Sequence, residues 1–286
     1  MKFLKHLFIG AAVLVGTAAF AQDSLKFKSD ELFLEYDNVL PQDLKVKGPV
    51  QGFAIYKNYG FSLRNRGMCV VLDLKKGEYV NSFMLEGNKS HCNNAGFGKE
   101  KYSKDSQFPL LYITECMGKR CCYVTDITLE GSKIVQKIFY DSDEFRVAMD
   151  WVVDAENNCI WVYGGKHFGT KYLKKLPLPK LSDSDENGEV HYTKEDVLQE
   201  IVIEGLAIAQ GSKIRKGKAY LPDGCSREGN KLHVINLKTG EKEGVYYYAD
   251  QLNEPEGLDF KGKYLYTVFH PVRKTIRYSM IYRTKL

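Results

Sequence analysis

Apolar and polar positions alternate with a period of two along most of the chain, as in "GFAIYKNYGFSL", "CVVLDLKKGEYVNSFML", "WVVDAENNCIWVYGG" and "KLHVINLKTGEKEGVYYY". Successive side chains of a strand point to opposite faces, so this period predicts half-buried strands. Gly, Asn, Asp and Lys separate the runs and supply the turns. The one stretch with a helical rhythm, "TKEDVLQEIVI", is short and runs into β-branched residues, which favour strands. The predicted class is all-β.

The strands recur in groups. Five segments open alike, with a polar residue, a small or aromatic one, then alternating apolars: "QGFAIYKNYGFSL" from Gln51, "HCNNAGFG" from His91, "DWVVDAENNCIWVYG" from Asp150, "EGLAIAQGSKIRKGKAYL" from Glu204 and "EGLDFKGKYLYTVF" from Glu256. Each continues as a hairpin, at spacings typical of propeller blades. The pattern predicts a β-propeller of five blades near residues 51–88, 91–141, 148–202, 203–249 and 254–286. The fifth group is one strand short, and the N-terminal run over 25–40, with "ELFLEYDNVL", supplies it. Pairing chain start with chain end closes the ring and removes two bare strand edges. A six-bladed ring is the alternative, if residues 165–202 form a blade of their own. With "EGLAI" and "PEGLDF" opening inner strands, the chain resembles the broad superfamily of bacterial exported β-propellers that includes NHL-type, TolB-like and lactonase-like proteins. The resemblance implies the fold over nearly the whole mature chain. It implies no activity, since these motifs are structural.

The two ends of the chain add a compartment. "MKFLKH" is basic, "LFIGAAVLVGTAAF" is apolar, and Ala19 and Ala21 place small residues at a cleavage point, so residues 1–21 read as a signal peptide and 22–286 as one exported domain, periplasmic or extracellular. No later run is long and apolar enough to span a membrane. The formal charge of +5 falls to +3 once Lys2 and Lys5 leave with the leader. So mild an excess argues against nucleic acid or a membrane surface as partner. Seven cysteines in an exported chain leave at least one unpaired. Cys116 and Cys121 flank the turn "MGKR" between two strand-like runs, and there they are candidates for a cross-strand disulfide. No Cys/His spacing suits zinc, no G-x-S-x-G marks a hydrolase nucleophile, and "GGKHFG" lacks the Gly-Lys-Ser/Thr of a phosphate loop.

Candidate chemistry follows from the ring. Inner strands line a propeller's axis, so their first residues converge at one mouth: Gln51, His91 with Asn93 and Asn94, Asp150, Glu204 and Glu256. Glu254 reads as a loop acid ahead of the last inner strand. Three carboxylates near one axis repel, unless a cation, a raised pKa or bound water relieves them. Asp150, Glu204 and Glu256 are the candidate ligands of a calcium ion, or of magnesium with waters; a transition metal through His91 and a water-filled channel are the alternatives. The calcium reading is similar to the axial ion of five-bladed nucleotidases and lactonase-like propellers, in position and ligand type. The loops at the same mouth each carry a base: Arg64 and Arg66, Arg120, His167, Arg227, His270 and Arg273. Arginine's planar fork grips anions in a bidentate manner.

Three function classes follow. The first is a propeller binding an anionic small molecule, an acidic glycan or an envelope or extracellular protein at its mouth. The second is a calcium-dependent hydrolase of a phosphoester, lactone or glycoside. In it Glu204, Glu256 and Asp150 hold the ion, His91 serves as general acid or base, and an arginine clamps the anion. The third is an interaction protein using a face such as "YYYADQL". The sequence favours the first.

Overall fold

The computed structural model describes residues 27, 30–88, 90–145, 148–165, 169–206, 208, 210–224, 229–272 and 279–286. The signal peptide read from the sequence lies outside them. Strand β1 (Glu31–Glu35) stands apart at the chain start. Blade 1 contains β2 (Val50–Tyr56), β3 (Tyr59–Arg64), β4 (Met68–Asp73) and β5 (Glu78–Met84). Blade 2 contains β6 (Ala95–Phe97), β7 (Leu111–Thr114), β8 (Cys122–Ile127) and β9 (Ser132–Tyr140). Blade 3 is β10 (Ala148–Asp154), β11 (Cys159–Gly165), β12 (Gly169–Pro177) and β14 (Gln199–Leu206), with β13 (Glu189–Tyr192) between the last two in sequence. Blade 4 is β15 (Lys213–Arg215), β16 (Lys218–Asp223), β17 (Lys231–Asn236) and β18 (Lys242–Tyr247). Blade 5 is β19 (Glu254–Lys261), β20 (Tyr264–His270) and β21 (Met280–Lys285), completed by β1.

The five sheets form a five-bladed β-propeller, and the closing strand is the one the sequence indicated. Strand β1 runs antiparallel to β21, with Glu31 opposite Arg283 and Leu34 opposite Ile281. Leu34 and the fully buried Tyr36 enter the core between blades 5 and 1. The Asp30 carboxylate accepts hydrogen bonds from Tyr246 Oη (2.8 Å) and the Ala249 amide (2.6 Å), so the chain start is also fastened to blade 4.

Residues 165–202 do not make a sixth blade. Strands β12 and β14 complete blade 3, while β13 crosses to blade 2 and pairs parallel with β9 as its fifth strand. A strap from one blade thus covers the edge of its neighbour, which leaves less bare backbone on that edge.

The apolar residues gather at the seams between blades. One cluster joins blades 1 and 2 around Phe61, Phe97 and Phe108; others join 2 and 3 around Trp151, 3 and 4 around Trp161, 4 and 5 around Phe269, and 5 and 1 around Phe53. The central strands therefore have two apolar faces, one for each seam. This explains why central strands such as "CVVL" and "CIWVY" are continuous apolar runs and not strictly alternating.

Near the axis the inner strands approach so closely that only hydrogen fits in place of a side chain. A Cβ on Gly257 would lie 2.3 Å from the Phe53 backbone nitrogen, and one on Gly211 would lie 2.6 Å from the Glu256 carbonyl oxygen and 2.8 Å from that of Asn93. These contacts reveal which residues are equivalent around the ring. Gln51-Gly52, Gln210-Gly211 and Glu256-Gly257 occupy matching places, so blade 4 opens at Gln210 and not at Glu204.

A candidate site at the channel mouth

Five polar side chains, one per blade, open the inner strands: Gln51, Asn93, Asp150, Gln210 and Glu256. All are at most 5 % exposed. Carboxamides and acids bond across blade boundaries. Asn93 Nδ2 donates to Asp150 Oδ2 at 2.7 Å, Gln51 Nε2 to Glu256 Oε1 at 3.2 Å, and Gln210 Nε2 to Glu254 Oε1 at 3.0 Å. Above them opens a cavity of about 480 Å³, lined by Gln51, Asn93, Gln210, Glu254 and Glu256 together with His91, His270, Lys171, Cys116 and apolar residues such as Pro49, Met117 and Ile208. Most of the walls come from inner-strand starts and from connections between second and third strands, with Lys171 added from the third strand β12.

Two acids stand out by what they lack. Asp150 Oδ1 and Glu256 Oε2 are buried and have no hydrogen-bond partner among the described residues. Buried polar atoms are nearly always paired, so each such atom needs an explanation. Three residues along the same strand, Asp259 supplies the contrast. It pairs with Lys213 Nζ at 2.9 Å and accepts the Ile55 amide at 2.8 Å, tying blades 4, 5 and 1 together. Its bonds explain its burial, whereas those of Glu256 do not.

Burial sets the protonation of the mouth. It pushes the Asp150 carboxyl well above the usual range, with the Asn93 hydrogen bond pulling back. It does the same to Glu256, where the neighbouring charges of Glu254 and Asp150 add to the rise and Gln51 opposes it. Glu254 is raised by burial and restrained by Gln210. The imidazoles move the other way: burial lowers His91, and burial together with the Arg64 charge lowers His270. Burial also lowers the Lys171 ammonium, which the Asp223 charge partly restores. Burial thus favours the neutral form of these acids, in which a carboxyl can donate as well as accept, beside neutral carboxamides.

The residues expected at the mouth meet different fates. Gln51, His91, Glu256 and His270 line the cavity, and Asp150 reaches it through Asn93. Asn94 is a strut: its Nδ2 donates to the Trp151 carbonyl at 2.9 Å and its Oδ1 accepts the Ser212 amide at 3.1 Å. Arg64 is buried against the chain, donating from Nε to the Gly48 carbonyl at 2.9 Å. Arg66 is exposed in a tight turn at φ 69°. Arg120 lies outside the axial cavity, on an adjoining groove. His167, Arg227 and Arg273 fall outside the described residues.

Two expectations are corrected. Glu204 is exposed on β14, the outer strand of blade 3, where its carboxylate accepts from Thr170 Oγ1 at 2.9 Å. It does not join Asp150 and Glu256, because the Glu-Gly-Leu it opens ends a blade and does not start one. Among the described residues no group of three or more His, Cys, Asp or Glu side chains is placed to hold a metal ion. Cys116 and Cys121 are free, buried thiols and not a disulfide. The hairpin register explains this: Thr114 faces Cys122 and the Glu115 amide donates to the Cys121 carbonyl, so Glu115 is the residue opposite Cys121. The Cys116 amide turns away to the His91 carbonyl.

Sequence reasoning missed Gln210, Glu254, Lys171 and the Cys116 side chain as parts of the mouth. For Gln210 a signal existed, since Gln210-Gly211 repeats the Gln51-Gly52 dipeptide.

Comparison with known proteins gives the fold and little else. No protein-family model matches the chain, and no curated protein matches it. Among solved structures, the tail fibre of a Staphylococcus aureus phage superposes with a TM-score of 0.59 at 15% identity, over 90% of this chain and 52% of the fibre chain. This chain therefore spans about half of that one. The glutaminyl cyclase of Myxococcus xanthus superposes with a TM-score of 0.53 at 10% identity, over 90% of this chain and 97% of the cyclase. Identities this low support a β-propeller without assigning a superfamily within the fold.

Proposed function

We propose that the channel mouth is the working site of an exported propeller, and that it takes a small ligand bearing neutral amide or carbonyl groups. The observation that carries this reading is the pair of buried acids, Asp150 and Glu256, each with one oxygen left without a partner beneath a cavity of about 480 Å³. A neutral carboxylic acid donates a hydrogen bond to a carbonyl oxygen and polarises it toward attack, and carboxamides such as Gln51, Asn93 and Gln210 complement an amide at little desolvation cost. In this reading Glu256 is the general acid, and Asp150 acts through Asn93, whose carboxamide it orients in the cavity wall. Export follows from the N-terminal signal read in the sequence.

The propeller neighbour named glutaminyl cyclase suggests the first ligand to try, a glutaminyl group, whose side-chain amide fits such a lining. Isothermal titration with Gln-Ala-amide, paired with an ammonia-release assay, tests the reading. Binding is expected to weaken as pH rises and Glu256 loses its proton, and ammonia release is expected to disappear in Glu256→Gln, whose amide donates a hydrogen bond but transfers no proton. A second reading keeps the anion expected from the sequence, and Lys171 in the cavity wall favours it. Inorganic phosphate that binds at the mouth while the dipeptide does not would select that reading. Calcium chloride that raises the melting temperature and restores phosphate binding after chelation would select the metal-dependent one.

A further inference from the structure

Beside the axial cavity lies a second one, of about 390 Å³, between the β7–β8 turn and the start of blade 3. Lys119, Arg120, Tyr140, Phe145 and Met149 are among its walls. The two cavities share their framework. Cys116 and Met117 line the axial cavity, while Lys119 and Arg120, two and three residues further on, line the groove. On the other side Ala148 lines the first and Met149 the second. A ligand leaving the mouth over this turn would therefore enter the groove.

Lys119 is exposed, and the ion pairs among the described residues include neither it nor Arg120. Arg120 Nη1 donates to the Phe145 carbonyl at 2.7 Å, which fixes the guanidinium against the wall of the groove that it lines. Its backbone is left-handed, at φ 54°. A non-glycine residue in that region carries a steric cost, and such residues cluster where a side chain must be aimed. Of the groove's acids, Asp141 is engaged by His191 Nδ1 at 2.9 Å, and that contact raises the imidazole pKa. Asp143 is the other acid in the lining.

We infer that this groove is a second subsite, holding a carboxylate on the outer part of a ligand whose inner, amide-bearing part sits in the axial cavity. This deepens the reading of the mouth and rests on it for the inner part alone. The ligand class is then a short peptide, with its first residue in the cavity and an acidic residue two or three positions on over Lys119 and Arg120. A fixed guanidinium grips a carboxylate through two parallel hydrogen bonds, which gives the groove direction as well as charge.

Titration with two peptides tests the inference: Gln-Ala-Asp-Glu and its neutral counterpart Gln-Ala-Asn-Gln-amide. The acidic peptide is expected to bind about tenfold tighter at low salt, with the advantage lost at high salt as screening sets in. Lys119→Gln with Arg120→Asn should abolish that advantage and leave the neutral peptide unchanged; Asn tolerates the left-handed backbone, so the turn is kept. Equal affinity of the two peptides, or an advantage that survives the double substitution, overturns the inference while leaving the axial site standing. A third arm needs no peptide binding at all. Sodium acetate titrated into ¹⁵N-labelled protein should shift the Lys119 and Arg120 amides in the native chain and not in the double variant; no shift there overturns the groove on its own.

Discussion

The tripeptide Glu-Gly-Leu occurs twice, at 204–206 and 256–258, and the two copies share almost nothing else. Glu256 is 3 % exposed with an unpartnered oxygen, at the start of an inner strand. Glu204 is exposed and hydrogen-bonded, at the end of an outer one. Gly257 is pressed against the backbone of blade 1, whereas the nearest atom to a Cβ on Gly205 would be the Lys242 ammonium nitrogen, 4.0 Å away. Local sequence sets local conformation, but environment comes from which blade boundary the segment crosses. An identical triplet can start one blade and finish another.

Four substitutions or titrations would break this contrast or sharpen it. The largest effect belongs to Gly257→Ala. Its new methyl would meet backbone at 2.3 Å, so blades 5 and 1 must part, at a cost of about 3 kcal/mol or more. Chemical denaturation should show it, and a variant as stable as the native chain would disprove the tight axial packing. Next is Glu256→Gln against Glu204→Gln. The first should abolish the chemistry of the mouth, and the second should leave it within about twofold, since exposed changes away from a site are usually small. Equal losses in the two would return Glu204 to the site.

The third effect is on pH dependence. Asp150 and Glu256 have folded pKa values raised above their unfolded ones. The stability tied to their neutral forms is complete below the ordinary carboxylate range and is lost as pH rises through the folded values. Each tenfold difference in proton affinity between the folded and unfolded chain is worth about 1.4 kcal/mol. His91 and His270 are lowered, so they act in the opposite sense and lose stability as pH falls below about 6.5. Melting curves across pH should therefore fall on both sides of a maximum. Asp150→Asn with Glu256→Gln should flatten the alkaline side alone, and an unchanged alkaline slope would mean that these acids ionise freely. The smallest effect is Gly205→Ala. With open space around it, the only cost is the left-handed φ of 75°, about 1 kcal/mol.

Much of the fold is legible in the sequence. The two-residue period identifies strands, the recurring openings count five blades, and the deficit in the last group points to β1. Those features are local or repetitive, so sequence carries them directly. Gln51, His91 and Glu256 are legible for the same reason. Glu254 reads as a loop acid, yet it begins β19 and lines the cavity. Lys171 lies on a third strand, where no repeat points to the axis.

What the sequence determined by itself is the strand pattern, the five-blade ring closed by its two ends, and the presence of acids and amides at inner-strand starts. Only the tertiary structure decided which Glu-Gly-Leu reaches the axis, which carboxyl oxygens are left without partners, and that Cys116 and Cys121 stay apart as thiols. The physical reason is the same in each case. Burial, pairing and protonation depend on neighbours from other blades, and those neighbours are distant in sequence: Gln51 and Glu256 share a hydrogen bond across 205 positions.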